Sequence, residues 1–305
     1  MPRPNLNAVF LGTPGAAVPT LVALAKVTDV VAVITRPDKP RGRSGRDAAS
    51  PIKEAAAGLG LAVLQPANAD ALTIALQSVG PIDVGVVTAY GTLLRPEALQ
   101  FPARGFLNVH FSLLPRWRGA SPVAAAILAG DEETGVTLMH LDEGLDTGPL
   151  VAARSIVIGP DETGGELTAR LATVGAALLI DHIFDWVDGA VTSTAQPELG
   201  VTRSPKLTKA DRSLDLTTTA AKLARRIRAL APKPGAELSI GDVRLRVLAA
   251  RSLDQDAPAG RLTVRDDRVL IGAGSGSLEL LIVQPPDRRP MEAAAWLRGL
   301  RSAPR

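Results

Sequence analysis

The residues best suited to chemistry are an amide and an imidazole in one apolar stretch, and a carboxylate further along the chain. Asn108 and His110 lie two positions apart in Phe106–His110, and Asp146 lies between the glycines of a Gly-Leu-Asp-Thr-Gly run. Side chains two apart on a strand share a face, so Asn108 and His110 can donate hydrogen bonds to one developing oxyanion. A histidine beside a carboxylate can also transfer a proton near neutral pH. The structural alternatives are a strand with two hydrogen-bonded polar residues and an aspartate in a turn.

The segment after this strand, Ser112-Leu113-Leu114-Pro115, continues neither a strand nor a helix well, because proline fixes φ and lacks an N–H donor. We therefore expect a loop whose backbone is free to line a pocket.

The runs Asn108–Gly119 and Gly144–Gly148 together resemble the signature of the folate-dependent formyltransferases, and most closely the members that act on a charged initiator tRNA. The resemblance covers nearly the whole chain. It implies formyl transfer from 10-formyltetrahydrofolate to the α-amine of methionine on initiator tRNA, with catalytic roles for Asn108, His110 and Asp146 and no metal. It also implies a folate pocket formed by two short segments: Ser112, Leu113, Leu114 and Pro115, and Ala89, Tyr90 and Gly91. Tyr90 as a core aromatic is the alternative for that side chain.

The elements that must position these residues follow a Rossmann-like pattern. Apolar strands at 6–11 and 30–35 flank a turn and a helix at 18–26, and the Gly-Thr-Pro-Gly turn lacks the dinucleotide fingerprint. The run 82–88 is nearly all apolar, which is typical of a strand buried on both faces. Ligands bind outside the carboxyl ends of such strands, which is where residues 89–91 and 108–115 fall. Residues 136–142 are expected to form an amphipathic strand and 168–186 a long helix.

A basic segment interrupts this pattern at 36–50 and predicts an exposed loop rich in glycine and proline. A solvated surface loop is the simple interpretation, and a phosphate-binding loop is the functional one. The resemblance implies contact with the tRNA acceptor stem through Arg41, Arg43 and Arg46. Ser44-Gly45 replaces the lysine pair that the family carries at this point.

Short alternating strands with glycine or proline turns follow residue 235, which predicts a small OB-like β-barrel after the α/β domain. We expect domains at 1–190 and 209–305, joined by a linker at 191–208. The part from residue 209 onward carries 18 Lys and Arg against 11 Asp and Glu, whereas the part before it carries 16 against 20. This asymmetry indicates a polyanion partner, and the candidate tRNA-binding residues are Lys206, Lys209, Arg225 and Arg228.

Composition excludes several classes of protein. The chain has 305 residues, no cysteine and three histidines, which excludes disulfides and thiol chemistry and argues against a multi-histidine metal site. No uninterrupted apolar run spans a bilayer and no signal-peptide pattern opens the chain, so we expect a cytoplasmic protein without membrane contact, and a monomer.

Two other formyltransferase interpretations stay open: a small acceptor, such as an amino-sugar nucleotide or glycinamide ribonucleotide, or water in a hydrolase. The catalytic triplet cannot distinguish these, whereas the basic loop and basic barrel favour tRNA. An RNA-binding module with a vestigial enzyme domain is opposed by the intact triplet. A dinucleotide-dependent oxidoreductase is opposed by the missing glycine fingerprint.

Overall fold

The computed structural model describes residues 6–40, 47–241 and 243–299. The chain divides into two compact units. The first comprises Met1–Pro122, Thr134–Ile156 and Thr168–Ser204, and the second comprises Val123–Glu133, Val157–Leu167 and Pro205–Arg305. The two units are therefore discontinuous in sequence, because two short segments from the first two-thirds of the chain belong to the second unit.

An open, mainly parallel sheet forms the first unit. Its seven strands run in the order β10-β9-β7-β6-β1-β2-β5. The strands up to residue 204 are β1 (Asn7–Gly12), β2 (Asp29–Ile34), β3 (Lys39–Pro40), β4 (Asp47–Ala48), β5 (Val63–Leu64), β6 (Val84–Thr88), β7 (Phe106–His110), β8 (Arg118–Gly119), β9 (Glu133–His140), β10 (Leu150–Val157) and β11 (Arg203–Ser204). Pairing is parallel from β5 through β2, β1 and β6 to β7, and antiparallel between β7 and β9.

The central strands β6 and β7 are buried at every position, as the apolar run at 82–88 predicts for the first of them. Gly85 of β6 pairs with Phe106 of β7, and a Cβ at Gly85 would overlap the Phe106 ring. A side chain there would therefore push β7 away from its neighbour. The strand predicted at 136–142 is confirmed as β9, which runs over Glu133–His140. Its predicted amphipathic character is wrong, because all its residues except the first and the last are buried.

Two helices of this region, α2 and α3, begin with a side-chain cap. Ser50 Oγ accepts a hydrogen bond of 3.1 Å from the Lys53 N–H and caps the amino end of α2. Asn68 Oδ1 accepts one of 2.9 Å from Ala71 in the same way. The helices are α1 (Val18–Ala25), α2 (Pro51–Gly58), α3 (Ala69–Ser78), α4 (Pro96–Leu99), α5 (Pro122–Ala129) and α6 (Gly164–Asp188).

Helix α6 is, among the described residues, the single helix long and apolar enough to cross a membrane by length and composition. Core helices pass the same test, and Leu171, Leu179 and Ile183 of α6 are fully buried in the protein. Packing in the core therefore explains its apolar composition.

The second unit contains an antiparallel sheet with one amphipathic helix. The elements are α7 (Ala220–Leu230), β12 (Ala236–Ile240), β13 (Val243–Leu253), β14 (Leu262–Arg265), β15 (Arg268–Gly272), β16 (Ser277–Gln284), β17 (Met291–Glu292) and α8 (Ala293–Arg298). The sheet order is β12-β13-β16-β15-β14, with β17 on β16. Leu223 and Ile227 of α7 pack into the same apolar core as Leu238 and Val247 of the sheet. The predicted combination of an α/β sheet with a smaller antiparallel domain is confirmed.

Candidate active site

The carboxyl end of β7 positions two of the three candidate catalytic residues. Asn108 and His110 lie on one face of the strand and are 8% and 6% exposed. Val87 of β6 pairs with Asn108, so the carboxyl ends of the two strands lie at the same edge of the sheet. This is the edge at which open α/β sheets bind ligands.

Asp146 completes the triplet from the loop between β9 and β10. Its Oδ1 lies 3.4 Å from the Asn108 amide nitrogen and 3.6 Å from His110 Nδ1. Its Oδ2 accepts a hydrogen bond of 2.8 Å from the Gly119 N–H. Asp146 is 9% exposed and has a φ of 55°, a left-handed conformation that aspartate tolerates better than most residues. The structure thus brings together the three residues that the sequence indicated.

The second ring nitrogen of His110 points at the backbone. His110 Nε2 lies 3.1 Å from the Trp117 carbonyl oxygen, and a carbonyl can only accept, so this nitrogen carries the proton in that bond. Both ring nitrogens therefore face protein groups in this structure. Donation from His110 to a substrate oxygen requires the ring to exchange its Trp117 contact for the substrate.

The expectation that residues 112–115 have a free backbone is wrong. Thr137 of β9 donates from Oγ1 to the Ser112 carbonyl at 2.7 Å and accepts from the Leu114 N–H at 3.0 Å. The Ser112 hydroxyl donates to the Arg116 carbonyl at 2.5 Å, and the Pro115 carbonyl accepts from Thr202 at 3.3 Å. The loop is held this way because Ser112 and Leu114 are buried, and buried backbone groups need hydrogen-bond partners.

The segment after β6 separates a buried side chain from exposed backbone. Tyr90 is 4% exposed and packs in the core with Val9 and Leu11, and burial raises the pKa of its phenol. Ala89 and Gly91 are exposed, with φ of 48° and 82°. The core interpretation fits the Tyr90 side chain, while the backbone of Ala89 and Gly91 remains at the sheet edge.

Residues 194–204 contact the site, although the sequence suggested a linker. Thr202 Oγ1 accepts from the Trp117 N–H at 2.8 Å, and Ser204 Oγ donates to the Trp117 carbonyl at 3.1 Å. Strand β11 pairs with β8, and Thr194 forms a bridge with Leu150 at the start of β10. Proline and glycine at 197, 200 and 205 concealed this role, because they give no strand periodicity.

The candidate tRNA-binding residues fall into three groups. Arg41, Arg43 and Arg46, with Ser44-Gly45, lie outside the described residues. Lys206 and Lys209 are exposed. Arg228 is half-buried and donates to the carbonyls of Gly159 and Glu162 at 3.2 and 3.0 Å, and burial lowers its pKa.

Arg225 is also half-buried, and its guanidinium lies against Gly130, where a Cβ would come within 2.7 Å of it. Helix α7 thus uses part of its positive charge inside the second unit. Within the described residues, no group of three or more His, Cys, Asp or Glu side chains is arranged to hold a metal ion.

Comparison with known proteins identifies the class. The chain matches the formyl transferase family over residues 8–183 and the formyl transferase C-terminal domain over residues 206–301, and it belongs to this family. Two relatives are each called methionyl-tRNA formyltransferase. The protein from Halorhodospira halophila is 46% identical over 97% of each chain, and the one from Myxococcus xanthus is 43% identical over 100% of this chain and 97% of its own.

Solved structures show the same fold at low sequence identity. An N-formyltransferase from Helicobacter canadensis, in complex with folinic acid and dTDP-3-aminofucose, has a TM-score of 0.68 at 17% identity and covers 90% of this chain and 98% of its own. HypX from Aquifex aeolicus with tetrahydrofolic acid has a TM-score of 0.66 at 16% identity, over 96% of this chain and 47% of its own. At these identities the likeness concerns the fold alone.

Proposed function

We propose that this protein transfers a formyl group from 10-formyltetrahydrofolate to the α-amine of methionine on initiator tRNA. Full-length relatives with this activity in their names support the acceptor, and the family supports the folate donor. The observation that carries the chemistry is the convergence of Asn108, His110 and Asp146, with 3.4 and 3.6 Å between their facing polar atoms.

The reaction forms one bond to the formyl carbon and breaks another. The methionine amine attacks that carbon and gives a tetrahedral intermediate with a negatively charged oxygen. The intermediate collapses when the bond to N10 of tetrahydrofolate breaks. The proton lost by the amine is balanced by the one gained at N10, so the products are formylmethionyl-tRNA and tetrahydrofolate.

Asn108 and His110 are assigned to the oxyanion. The Asn108 amide has two N–H donors, of which one faces Asp146, and the other can donate to the oxyanion. His110 joins it once its Nε2–H leaves the Trp117 carbonyl. Donors fixed in a buried site stabilise a developing charge more than donors in water, because they need no reorganisation.

Asp146 is assigned to orientation and proton transfer. Its Oδ1 faces both neighbours, so it holds the Asn108 amide and the His110 ring in place. It accepts the proton of the amine directly or through water. The Gly119 N–H on Oδ2 keeps the carboxylate in this orientation while it acts.

The two substrates are assigned to separate groups of residues. The folate donor is placed at the sheet edge formed by the backbone of 89–91 and by 112–115, where Leu113 is half-buried and Ala89 and Gly91 are exposed. The tRNA is assigned to the exposed Lys206 and Lys209 and to the basic segment at 41–46. Domain boundaries at 190 and 208, a cytoplasmic location and a monomeric state remain predictions of the sequence.

Transfer from 10-formyltetrahydrofolate to three acceptors tests the function: charged initiator tRNA, charged elongator methionine tRNA and a dTDP-amino sugar. We expect transfer to the initiator with strong preference over the elongator, and none to the sugar. Equal use of both tRNAs would remove the initiator as the specific acceptor. Transfer to the sugar alone, or folate consumption without transfer, would overturn the tRNA function in favour of a small acceptor or water.

A further inference from the structure

Gln196 is a polar side chain that the proposed mechanism does not use. It lies in a stretch, 194–200, in which every other residue is exposed, and it alone is half-buried. Its amide makes four contacts within hydrogen-bonding distance, with both its oxygen and its nitrogen used twice. In this exposed segment, Gln196 is therefore the side chain that is directed inward and fully hydrogen-bonded.

The glutamine nitrogen holds the loop that carries Asp146. Gln196 Nε2 donates to the Asp146 carbonyl at 3.0 Å and to the Gly148 carbonyl at 2.7 Å. These bonds use both hydrogens of the amide. They fix the peptide of the one residue in the loop whose φ is positive and whose carboxylate faces the triplet.

The glutamine oxygen binds Arg118, which is next in sequence to the residue whose N–H donates to the Asp146 carboxylate. Gln196 Oε1 accepts from Arg118 Nε at 3.0 Å and from a terminal guanidinium nitrogen at 2.7 Å. Arg118 precedes Gly119, whose N–H donates to Asp146 Oδ2. One side chain therefore connects the backbone of Asp146 with the strand that supplies a donor to its carboxylate.

We propose that Gln196 is a positioning residue for Asp146 in formyl transfer. It fixes the left-handed peptide of Asp146 from one side and, through Arg118, the Gly119 N–H from the other. A free loop would let the carboxylate drift from Asn108 and His110, whose contacts at 3.4 and 3.6 Å are already long. Misplacement of a reacting group by about 1 Å can reduce a rate about 100-fold.

The inference rests on the proposed role of Asp146. A double-mutant cycle in the full-length protein tests the role of Asp146 and the role of Gln196 separately. Single-turnover transfer at saturating folate and tRNA is measured for Gln196→Ala, Asp146→Ala and the double variant. We expect Gln196→Ala to lower the rate about 10- to 100-fold. We expect it to lower the rate of Asp146→Ala by less than about 2-fold, because residues that act as a unit are not additive.

Two further variants separate positioning from general stability. Gln196→Glu keeps the acceptor for Arg118 but turns an oxygen toward the Asp146 and Gly148 carbonyls, so we expect it to be as slow as Gln196→Ala. Gln77→Ala, at an exposed glutamine on α3, is the control and should keep the normal rate. The half-saturating tRNA concentration of both Gln196 variants should stay within about 2-fold of normal, because positioning acts on the bound complex.

The outcomes are distinguishable. An Asp146→Ala variant with a normal rate would overturn the role of Asp146 and this inference with it. A slow Asp146→Ala with a normal Gln196→Ala would overturn the inference alone. So would an undiminished effect of Gln196→Ala in the Asp146→Ala background, since Gln196 would then act elsewhere.

Discussion

The polar side chains that we assign to function lie in opposite surroundings in the two units of this protein. In the first unit Asn108, His110 and Asp146 are each at most 9% exposed, and hydrogen bonds from Gly119 and Gln196 hold the aspartate loop. In the second unit the core is apolar, while Lys206 and Lys209 remain exposed. Chemistry at a carbonyl needs fixed donors, whereas attraction of phosphate needs accessible charge. We therefore expect substitutions of the buried triplet to lower the catalytic rate, and substitutions of the exposed lysines to weaken tRNA binding.

Loss of the triplet should give the largest effect. We expect His110→Ala and Asp146→Ala each to lower the single-turnover rate about 100- to 10,000-fold, because each removes a group acting on the transition state. The matched controls are His182→Ala, whose ring contacts the Leu178 carbonyl on α6, and Asp181→Ala, an exposed partner of Arg154. A catalytic variant as fast as its control would remove that residue from the mechanism.

Shortening a core side chain in the second unit should reduce the free energy of unfolding without the large loss of transfer rate expected for the triplet. Ile227 of α7 is fully buried in the apolar core. We expect Ile227→Ala to lower the free energy of unfolding by about 2–5 kcal/mol, through lost burial and a cavity. Urea denaturation measures it, with Lys222→Ala on the exposed side of the same helix as the control, within about 0.5 kcal/mol of normal. Equal effects of the two variants would contradict the described packing of α7.

Removal of exposed charge should weaken tRNA binding by a smaller factor. We expect Lys206→Ala with Lys209→Ala to raise the half-saturating tRNA concentration up to about 10-fold, and to reduce the salt dependence of binding by about one to two counterions. Filter binding between low and moderate salt measures both. Lys26→Ala, exposed in the first unit, is the control, and an unchanged salt slope in the double variant would exclude contact of these lysines with phosphate.

The smallest effect concerns acid stability. Burial lowers the pKa of His140, with Asp142 opposing and Arg104 adding to the shift, and the ring lies against Trp186 at 5.2 Å between centroids. A lowered folded-state pKa means that the unfolded chain binds the proton first, so this residue destabilises the fold as pH falls below 6.5. We expect His140→Phe to lose less stability than the wild type between pH 7 and pH 5, measured by urea denaturation. An equal loss would show that His140 does not titrate on unfolding.

The sequence predicted the parts of the site that depend on local pattern. Alternation placed Asn108 and His110 on one face of β7, and the apolar run at 82–88 predicted a strand buried on both faces, which is β6. Contacts between residues distant in sequence were not predictable in the same way. Thr137 reaches the backbone of 112–115 because β9 pairs antiparallel with β7. The contacts of Gln196 come from a segment whose sequence has no strand or helix periodicity. The family resemblance supplied the association of Asp146 with the strand, which no local pattern indicates.

The most direct test of the central claim is one saturation experiment with two variants. Single-turnover formyl transfer is followed against initiator methionyl-tRNA concentration for Asn108→Ala and for the Lys206→Ala, Lys209→Ala double variant. The predicted result is a lower maximal rate with an unchanged half-saturation point for Asn108→Ala, and the reverse for the double variant. A lysine variant that loses maximal rate, or an Asn108→Ala that only shifts half-saturation, would contradict the assignment of chemistry to the buried triplet and of tRNA attraction to the exposed lysines.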